Sequence, residues 1–298
     1  MVRRLSSVAA VLAVAAFLVA GCGGGGKPRP DLLFVSTRTG VYRIFEMNVD
    51  GSRQQQLNND KAPGRAGSFF QTDPAWSASG GQIAYSSLGD IVVADKSGRN
   101  ERKLTSTKAF DSHPTFSPDG KRIAFQRGGA IWVMNADGSG AHRLVRDTGP
   151  DRAPAWSPSG TWIAYAHDYA GTPVRELWLV HPDGTGNHRL TRMNASANTP
   201  AWSPDSTQIA FSSDARGAGF KLWEIAVNGS GAKRLTDSTA QEIDPAWARS
   251  GSTIAFSSDG AIATIAVGEN GVTTVTDSKN NDSSPAWNPV QPKSGGGY

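Results

Sequence analysis

Hydrophobic and polar positions along most of the chain follow the short patterns that are typical of β-strands. Ile123-Ala124-Phe125 alternates large and small side chains, and residues 130–134 form a short apolar run between turn residues. Beyond the first 21 residues, no segment places its apolar side chains at a helical spacing. The pattern therefore predicts an all-β fold.

These strand patterns recur as a repeat. A Pro-X-aromatic phrase occurs six times, and its aromatic residues are separated by 40, 40, 46, 45 and 40 positions. These aromatic residues are Trp76, Phe116, Trp156, Trp202, Trp247 and Trp287. An Ile-Ala-aromatic phrase follows each of the first five, and a hairpin dipeptide such as Asp137-Gly138 comes after one further strand. Four strands in 40–46 residues are typical of a propeller blade.

The two ends of the repeat region complement each other. Residues 32–57 contain the second, third and fourth strands of a blade, whereas Pro285-Ala286-Trp287 is a first strand without followers. The sequence therefore predicts a six-bladed β-propeller, its ring closed by a blade shared between the N- and C-terminal strands. Such pairing leaves no open sheet edge at the closure. We expect the propeller to span residues 31–290 and residues 291–298 to form a flexible tail.

The N-terminal segment has the features of an export signal. Arg3 and Arg4 precede an apolar run over residues 5–18, which is shorter than the roughly 20 residues of a membrane-spanning helix. We therefore predict a lipoprotein signal peptide at residues 1–21. Residues 22–30 are rich in glycine and are predicted to form a flexible tether that begins at the lipidated Cys22.

The lipid anchor rests on a resemblance at one cysteine. VAGC at residues 19–22 resembles the lipobox of bacterial lipoproteins, in which diacylglycerol alkylates the cysteine thiol before cleavage. The resemblance implies lipidation of Cys22 and an extracytoplasmic propeller anchored to the cell membrane or the outer membrane. The alternative is an ordinary cleaved signal peptide followed by an incidental cysteine. Cys22 is the only cysteine, which excludes an intramolecular disulfide.

The repeat also resembles a known family. PTFSPDGKRIAF at residues 114–125 and WVMNADGSG at residues 132–140 resemble the WD40-like (PD40) repeat of TolB-type propellers. The resemblance covers about residues 31–290 and implies the propeller fold. TolB proteins carry a separate N-terminal α/β domain that contributes to their role in the Tol–Pal system. Only residues 23–30 separate Cys22 from the first strand here, so that role is not implied.

Candidate binding residues lie at the predicted mouth of the central channel. In this architecture the Pro-X-aromatic strand is innermost, and the residues before its proline are Asp73, His113, Ala153, Thr199, Asp244 and Ser284. Farther out in the same loops are Asp111, Asp151, Glu242 and Asp282. We expect these carboxylates and one imidazole to converge on a funnel for a polar ligand, a basic peptide or a cation such as calcium. The alternative is that the aspartates cap turns. No other cofactor is predicted.

The net charge and the absence of two catalytic motifs argue against nucleic-acid binding and against enzymatic activity. Removal of Arg3 and Arg4 would lower the formal net charge from +4 to about +2, which does not favour nucleic-acid binding. Neither G-x-S-x-G nor H-E-x-x-H occurs, so we predict no enzymatic activity. The repeated tryptophans are interpreted as packing residues between blades.

We interpret the chain as a monomeric, membrane-anchored binding or scaffold protein. It would hold a protein or cell-envelope ligand on its mouth and rim loops, including residues 170–175 and 215–220. The alternative is a propeller enzyme, a lyase or hydrolase with or without a metal, that acts on a polysaccharide in the channel. That alternative predicts acids and an imidazole within about 4–6 Å of one another.

Overall fold

The fold is a six-bladed β-propeller. The computed structural model describes residues 30–57, 70–146, 149–217 and 219–290. These residues form six antiparallel sheets of four strands, and the only helix among them is a single 3₁₀ turn, Ser278–Asn280. The innermost strands contact one another in succession around the ring. The predicted all-β, six-bladed architecture is therefore confirmed.

Five blades are continuous in sequence. Blade 2 contains β4 (Gln71–Trp76), β5 (Gln82–Ser87), β6 (Asp90–Asp95) and β7 (Arg102–Lys103). Blade 3 contains β8 (Asp111–Phe116), β9 (Arg122–Arg127), β10 (Ala130–Asn135) and β11 (His142–Arg143). Blade 4 contains β12 (Asp151–Trp156), β13 (Ile163–Asp168), β14 (Arg175–Val180) and β15 (His188–Arg189). Blade 5 contains β16 (Ala197–Trp202), β17 (Gln208–Ser213), β18 (Lys221–Ala226) and β19 (Lys233–Arg234). Blade 6 contains β20 (Glu242–Trp247), β21 (Thr253–Ser258), β22 (Ala261–Ala266) and β23 (Val272–Thr274).

Blade 1 closes the ring with strands from both ends of the propeller. Its inner strand is β24 (Ser283–Trp287), and its remaining strands are β1 (Leu32–Ser36), β2 (Arg43–Met47) and β3 (Gln55–Gln56). β24 pairs antiparallel with β1, and Leu32 lies opposite Trp287. Beside this pairing, Arg38 forms a two-pronged ion pair with the fully buried Asp282, at 2.9 and 3.2 Å. The predicted shared blade is therefore confirmed.

The core consists of apolar clusters that join neighbouring blades. Trp202 of blade 5 is 7% exposed and belongs to a cluster with Leu177 and Leu179 of blade 4. The Nε1–H of Trp202 donates a hydrogen bond to the carbonyl oxygen of Ala155, also in blade 4, at 2.9 Å. The Nε1–H of Trp287 in blade 1 donates in the same way to a blade 6 carbonyl oxygen. These contacts agree with the packing role expected for the repeated tryptophans.

The predictions for the chain termini lie outside the described residues. These predictions are the signal peptide at residues 1–21, the lipidated Cys22, the tether up to residue 29 and the tail at residues 291–298. Within the described ranges, no helix has the length and apolar character needed to cross a bilayer. The loops expected to carry long insertions connect β13 to β14 and β17 to β18, as the repeat predicts.

Candidate functional site at the channel mouth

A β-bulge at the same place in each inner strand creates the site. In blade 2, Thr72 pairs with Ser86 and Ala75 pairs with Ala84, so two residues, Asp73 and Pro74, stand opposite one. The register breaks at the matching place in the other five inner strands. The residue before the proline has a positive φ of 45–53° in every blade. A bulge with a positive φ changes the direction of the side chain, and here it turns the side chain toward the channel.

The six re-aimed residues and their prolines line one cavity of about 160 Å³ at the channel mouth. Three of the six carry titratable side chains: Asp73 from blade 2, His113 from blade 3 and Asp244 from blade 6. The structure thus places these three residues where their position in the repeat predicts. Ala153, Thr199 and Ser284 complete the ring with small neutral side chains.

Asp73 and His113 face each other at the mouth. The Nε2 atom of His113 lies 3.5 Å from Oδ1 of Asp73, and both side chains are partly exposed. The hydroxyls of Thr72 and Ser86 each donate to Oδ2 of Asp73 at 3.0 Å. One carboxylate oxygen of Asp73 is therefore hydrogen-bonded within blade 2, and the other faces the imidazole of His113.

Asp244 connects three blades. Its Oδ2 accepts long hydrogen bonds from the hydroxyls of Ser257 and Ser284, each at 3.4 Å, while its backbone N–H donates to Oγ1 of Thr199 at 3.3 Å. Burial raises the pKa of Asp244 to about 6; nearby His113 opposes this rise and Asp73 adds to it. Protonation of Asp244 therefore depends on the charges of both neighbours.

The four outer acids do not reach the cavity, which corrects their predicted place at the mouth. All four residues are fully buried, and each contacts a side chain that does not line the cavity. Asp111 accepts two hydrogen bonds from the Arg127 guanidinium, at 2.7 and 2.8 Å, and Asp282 is held by Arg38. These two pairs neutralise the carboxylates inside the protein.

The other two outer acids are also held by side chains away from the cavity. Nδ1 of His167 lies 2.8 Å from Oδ1 of Asp151 in a buried contact. Glu242 accepts hydrogen bonds from the hydroxyls of Thr236 and Ser238, the latter at 2.7 Å. The sequence predicts these acids at the mouth because they precede the mouth residues in the loops that lead into the inner strands. The bulge rotates only the residue before the proline and separates the two sets.

A groove that the repeat did not predict adjoins the mouth. It has a volume of about 470 Å³, spans blades 3 to 6 and shares His113 and Asp244 with the cavity. Its walls include Phe110 and Ile243, which are 68% and 37% exposed. Phe110 has a counterpart at the same position of blade 2, Phe70, which is 45% exposed, whereas Ile243 has no apolar counterpart in the other blades. The sequence signal is an apolar side chain in a loop where the fold expects polar ones.

Two side-chain amides line the groove. The Oε1 atom of Gln126 accepts from the backbone N–H of Ala153 at 3.4 Å, and Oδ1 of Asn198 accepts from Arg175. The NH₂ group of each amide is a hydrogen-bond donor that a ligand on this face could use. The groove thus combines apolar walls with hydrogen-bond donors.

The mouth does not present a metal-binding set. Across the part of the chain that the structure describes, no group of three His, Cys, Asp or Glu side chains is arranged to hold an ion. Calcium takes six to eight oxygen ligands, whereas two carboxylates reach this cavity. The calcium ion considered from the sequence thus lacks a ligand set here.

Comparisons with known proteins agree with this architecture. A model of the "TolB beta propeller domain" family (PD40) matches residues 32–175 and 145–292. The crystal structure of TolB from Acinetobacter baumannii superposes with a TM-score of 0.72 at 19% identity, covering 87% of this chain and 66% of that one. The chain therefore spans about two thirds of that TolB.

Two further structures share the fold. A chain of the nidogen–laminin complex superposes with a TM-score of 0.72 at 14% identity, covering 88% of this chain and 99% of its own. An oligogalacturonate lyase in complex with manganese superposes with a TM-score of 0.59 at 13% identity, covering 82% of this chain and 73% of its own. No curated protein matches the sequence. With the family model matching nearly the whole propeller, this chain belongs to the TolB β-propeller family.

Proposed function

We propose that this protein is an extracytoplasmic binding protein that holds a cationic group of a protein or cell-envelope ligand at the channel mouth. One observation carries the proposal: Asp73 and Asp244 line the same cavity, and no lysine or arginine is among its described lining residues. Carboxylates of one sign in a partly enclosed funnel attract a complementary charge. An ammonium or guanidinium group would supply it.

The cavity has a volume of about 160 Å³ and shares His113 and Asp244 with the larger groove. We propose that it receives the charged end of a ligand side chain. The remainder of the ligand would lie in the adjoining groove, against Phe110 and Ile243. The long loops of blades 4 and 5 open on the same face and would add specificity.

Cellular placement is part of the proposal. The predicted signal peptide at residues 1–21 and the lipobox-like Cys22 support export and a lipid anchor. The family resemblance supports a binding role in general, and the nidogen–laminin neighbour shows the same fold in a protein complex. We propose that the propeller acts as a monomer tethered to a membrane.

Binding of a single cationic side chain tests the proposal. The probe is the capped pentapeptide acetyl-Gly-Gly-Lys-Gly-Gly-amide, compared at pH 7.5 with the same peptide carrying Gln instead of Lys. We expect the lysine peptide to bind the purified protein with millimolar affinity and the glutamine peptide to bind at least about ten-fold more weakly, the ratio that 1.4 kcal/mol produces. Asp73→Asn and Asp244→Asn should each weaken lysine-peptide binding by a similar factor. NMR chemical shifts measure the affinities.

Asp183→Asn is the matched control. Asp183 lies in an exposed hairpin after β14, at the opposite end of the propeller from the mouth. Its loss removes the same charge, so an equal effect would reveal only general attraction to an acidic surface. Equal affinities for the two peptides, or an unchanged affinity in both mouth variants, would contradict the proposal.

A second candidate is an enzyme acting on an acidic polysaccharide. It is favoured by the 3.5 Å contact between His113 and Asp73 and by the pKa of about 6 at Asp244, which suit proton transfer near neutral pH. The oligogalacturonate lyase shares the fold at 13% identity. Under the binding proposal, polygalacturonate incubated with the protein gains no new chain ends. Turnover that is abolished in the Asp244→Asn variant would show that the protein is an enzyme and would contradict the binding proposal.

A further inference from the structure

The titratable groups at the mouth come from three blades and have few charged neighbours. Asp73, His113 and Asp244 project from β4, β8 and β20, while β12, β16 and β24 contribute Ala153, Thr199 and Ser284. The second strands β5 and β21 add only the hydroxyls of Ser86 and Ser257. No fixed positive charge within the described lining compensates the two carboxylates.

The nearest cations lie in the adjoining groove and are already paired. Arg152 and Arg175 both line the groove, and both bind Asp168, Arg152 at 2.9 Å. Arginine side chains in general keep their charge at ordinary pH. We therefore expect a change of pH across the neutral range to alter the charge of the mouth through Asp244.

We propose that this mouth is an acid-sensitive latch, which holds a cationic group at neutral and alkaline pH and releases it when Asp244 takes up a proton. The inference rests on the proposed function. With both carboxylates ionised, the cavity holds two negatively charged side chains. With Asp244 neutral, Asp73 is the one carboxylate left among the described lining residues to attract a cation, and its Oδ1 lies 3.5 Å from Nε2 of His113.

The direction of the response follows from competition between the proton and the ligand. Burial raises the pKa of Asp244 to about 6, so this carboxyl group begins to lose its charge only slightly below neutral pH. A bound cation favours the ionised carboxylate and therefore lowers that pKa in the complex. Affinity is thus full above the pKa of the free site and falls as the pH drops through it.

The capped lysine pentapeptide, titrated at pH 8 and pH 5 at equal ionic strength, tests the latch. We expect binding at pH 5 to be at least about ten-fold weaker, because one of the two carboxylate charges close to the ligand is then lost. The double variant His113→Gln/Asp244→Asn should bind weakly at both values, with a difference below about two-fold. Asp183→Asn should keep the full response, since hydrogen bonds from the Thr185 hydroxyl and backbone lower the pKa of Asp183 and keep it ionised.

A direct measurement accompanies the titration. The ¹³C signal of the Asp244 carboxyl should titrate near pH 6 without the peptide and at a lower pH with it. A midpoint near the ordinary aspartate value of about 4, or one that the peptide does not move, would overturn the latch. This readout follows one residue, and circular dichroism at both pH values confirms that the blades stay folded.

The outcomes separate the latch from the function on which it rests. Lysine-selective binding of equal strength at pH 8 and pH 5 would reject the latch and leave the binding site intact. Loss of lysine selectivity at pH 8 would reject the cation site itself. A ten-fold response that survives in the double variant would place the sensor elsewhere in the molecule.

Discussion

Replacing Arg38 with methionine is expected to lower the free energy of unfolding by about 3–5 kcal/mol. Asp282 is fully buried and takes both of its ion-pair contacts from the Arg38 guanidinium, so the variant leaves a charge uncompensated in the interior. Methionine retains apolar volume near Phe45, over whose ring the guanidinium lies at 4.6 Å. Because the pair joins the two ends of the propeller, its loss also weakens the closure. Urea unfolding followed by tryptophan fluorescence measures the change.

Arg152→Met is the matched control for this prediction. Arg152 also pairs with an aspartate, but its side chain is 46% exposed and Asp168 keeps a second partner in Arg175. We expect a loss of at most about 1 kcal/mol. Adding Asp282→Leu to Arg38→Met should recover much of the stability, since no buried charge then remains. Equal losses in Arg38→Met and Arg152→Met would show that the closure does not depend on the buried pair.

Replacing Trp202 with alanine is expected to cost about 3–5 kcal/mol. The indole fills the boundary between blades 4 and 5 and donates its N–H to Ala155 across that boundary. Alanine removes the whole ring and leaves a cavity beside Leu179, which neighbouring strands cannot fill without shifting. Thermal and urea unfolding measure the loss.

Trp202→Phe separates packing from the hydrogen bond. Phenylalanine keeps an aromatic ring at the boundary and loses mainly the contact to the Ala155 carbonyl oxygen, so we expect a smaller loss of about 1–2 kcal/mol. If alanine proves no worse than phenylalanine, the repeated tryptophan does not hold the blades together by packing.

The sequence predicts the fold well because each blade carries the same local signals. Turn dipeptides, a proline at the first strand and an Ile-Ala-aromatic second strand recur with nearly constant spacing. Local signals of this kind survive in any folded context, since they determine hairpins of adjacent strands. The one long-range pairing, β24 with β1, could also be predicted because each end lacks what the other supplies.

The site was predictable only where it follows the repeat. Asp73, His113 and Asp244 occupy the mouth because each precedes a repeated proline. Asp111 and Asp151 fall beside them in sequence, but the bulge directs the two sets of side chains to different environments. A bulge has no signature in the local hydrophobic pattern, which explains this failure.

The groove escaped prediction for a different reason. Phe110 and Ile243 belong to different blades, and no spacing in the sequence relates them. They line one groove because the propeller arranges blades 3 to 6 around the same mouth. Sites formed by side chains from separate blades therefore require the structure.

The most direct test of the cation-binding mouth is a map of backbone amide shifts in the uniformly ¹⁵N-labelled protein during titration with the lysine pentapeptide at pH 7.5. We expect the largest changes at Asp73, His113 and Asp244, the titratable residues that share the cavity. The glutamine peptide should leave the same amides almost unmoved. Shifts concentrated in the opposite hairpins around Asp137 and Asp183, with none at the mouth, would contradict it.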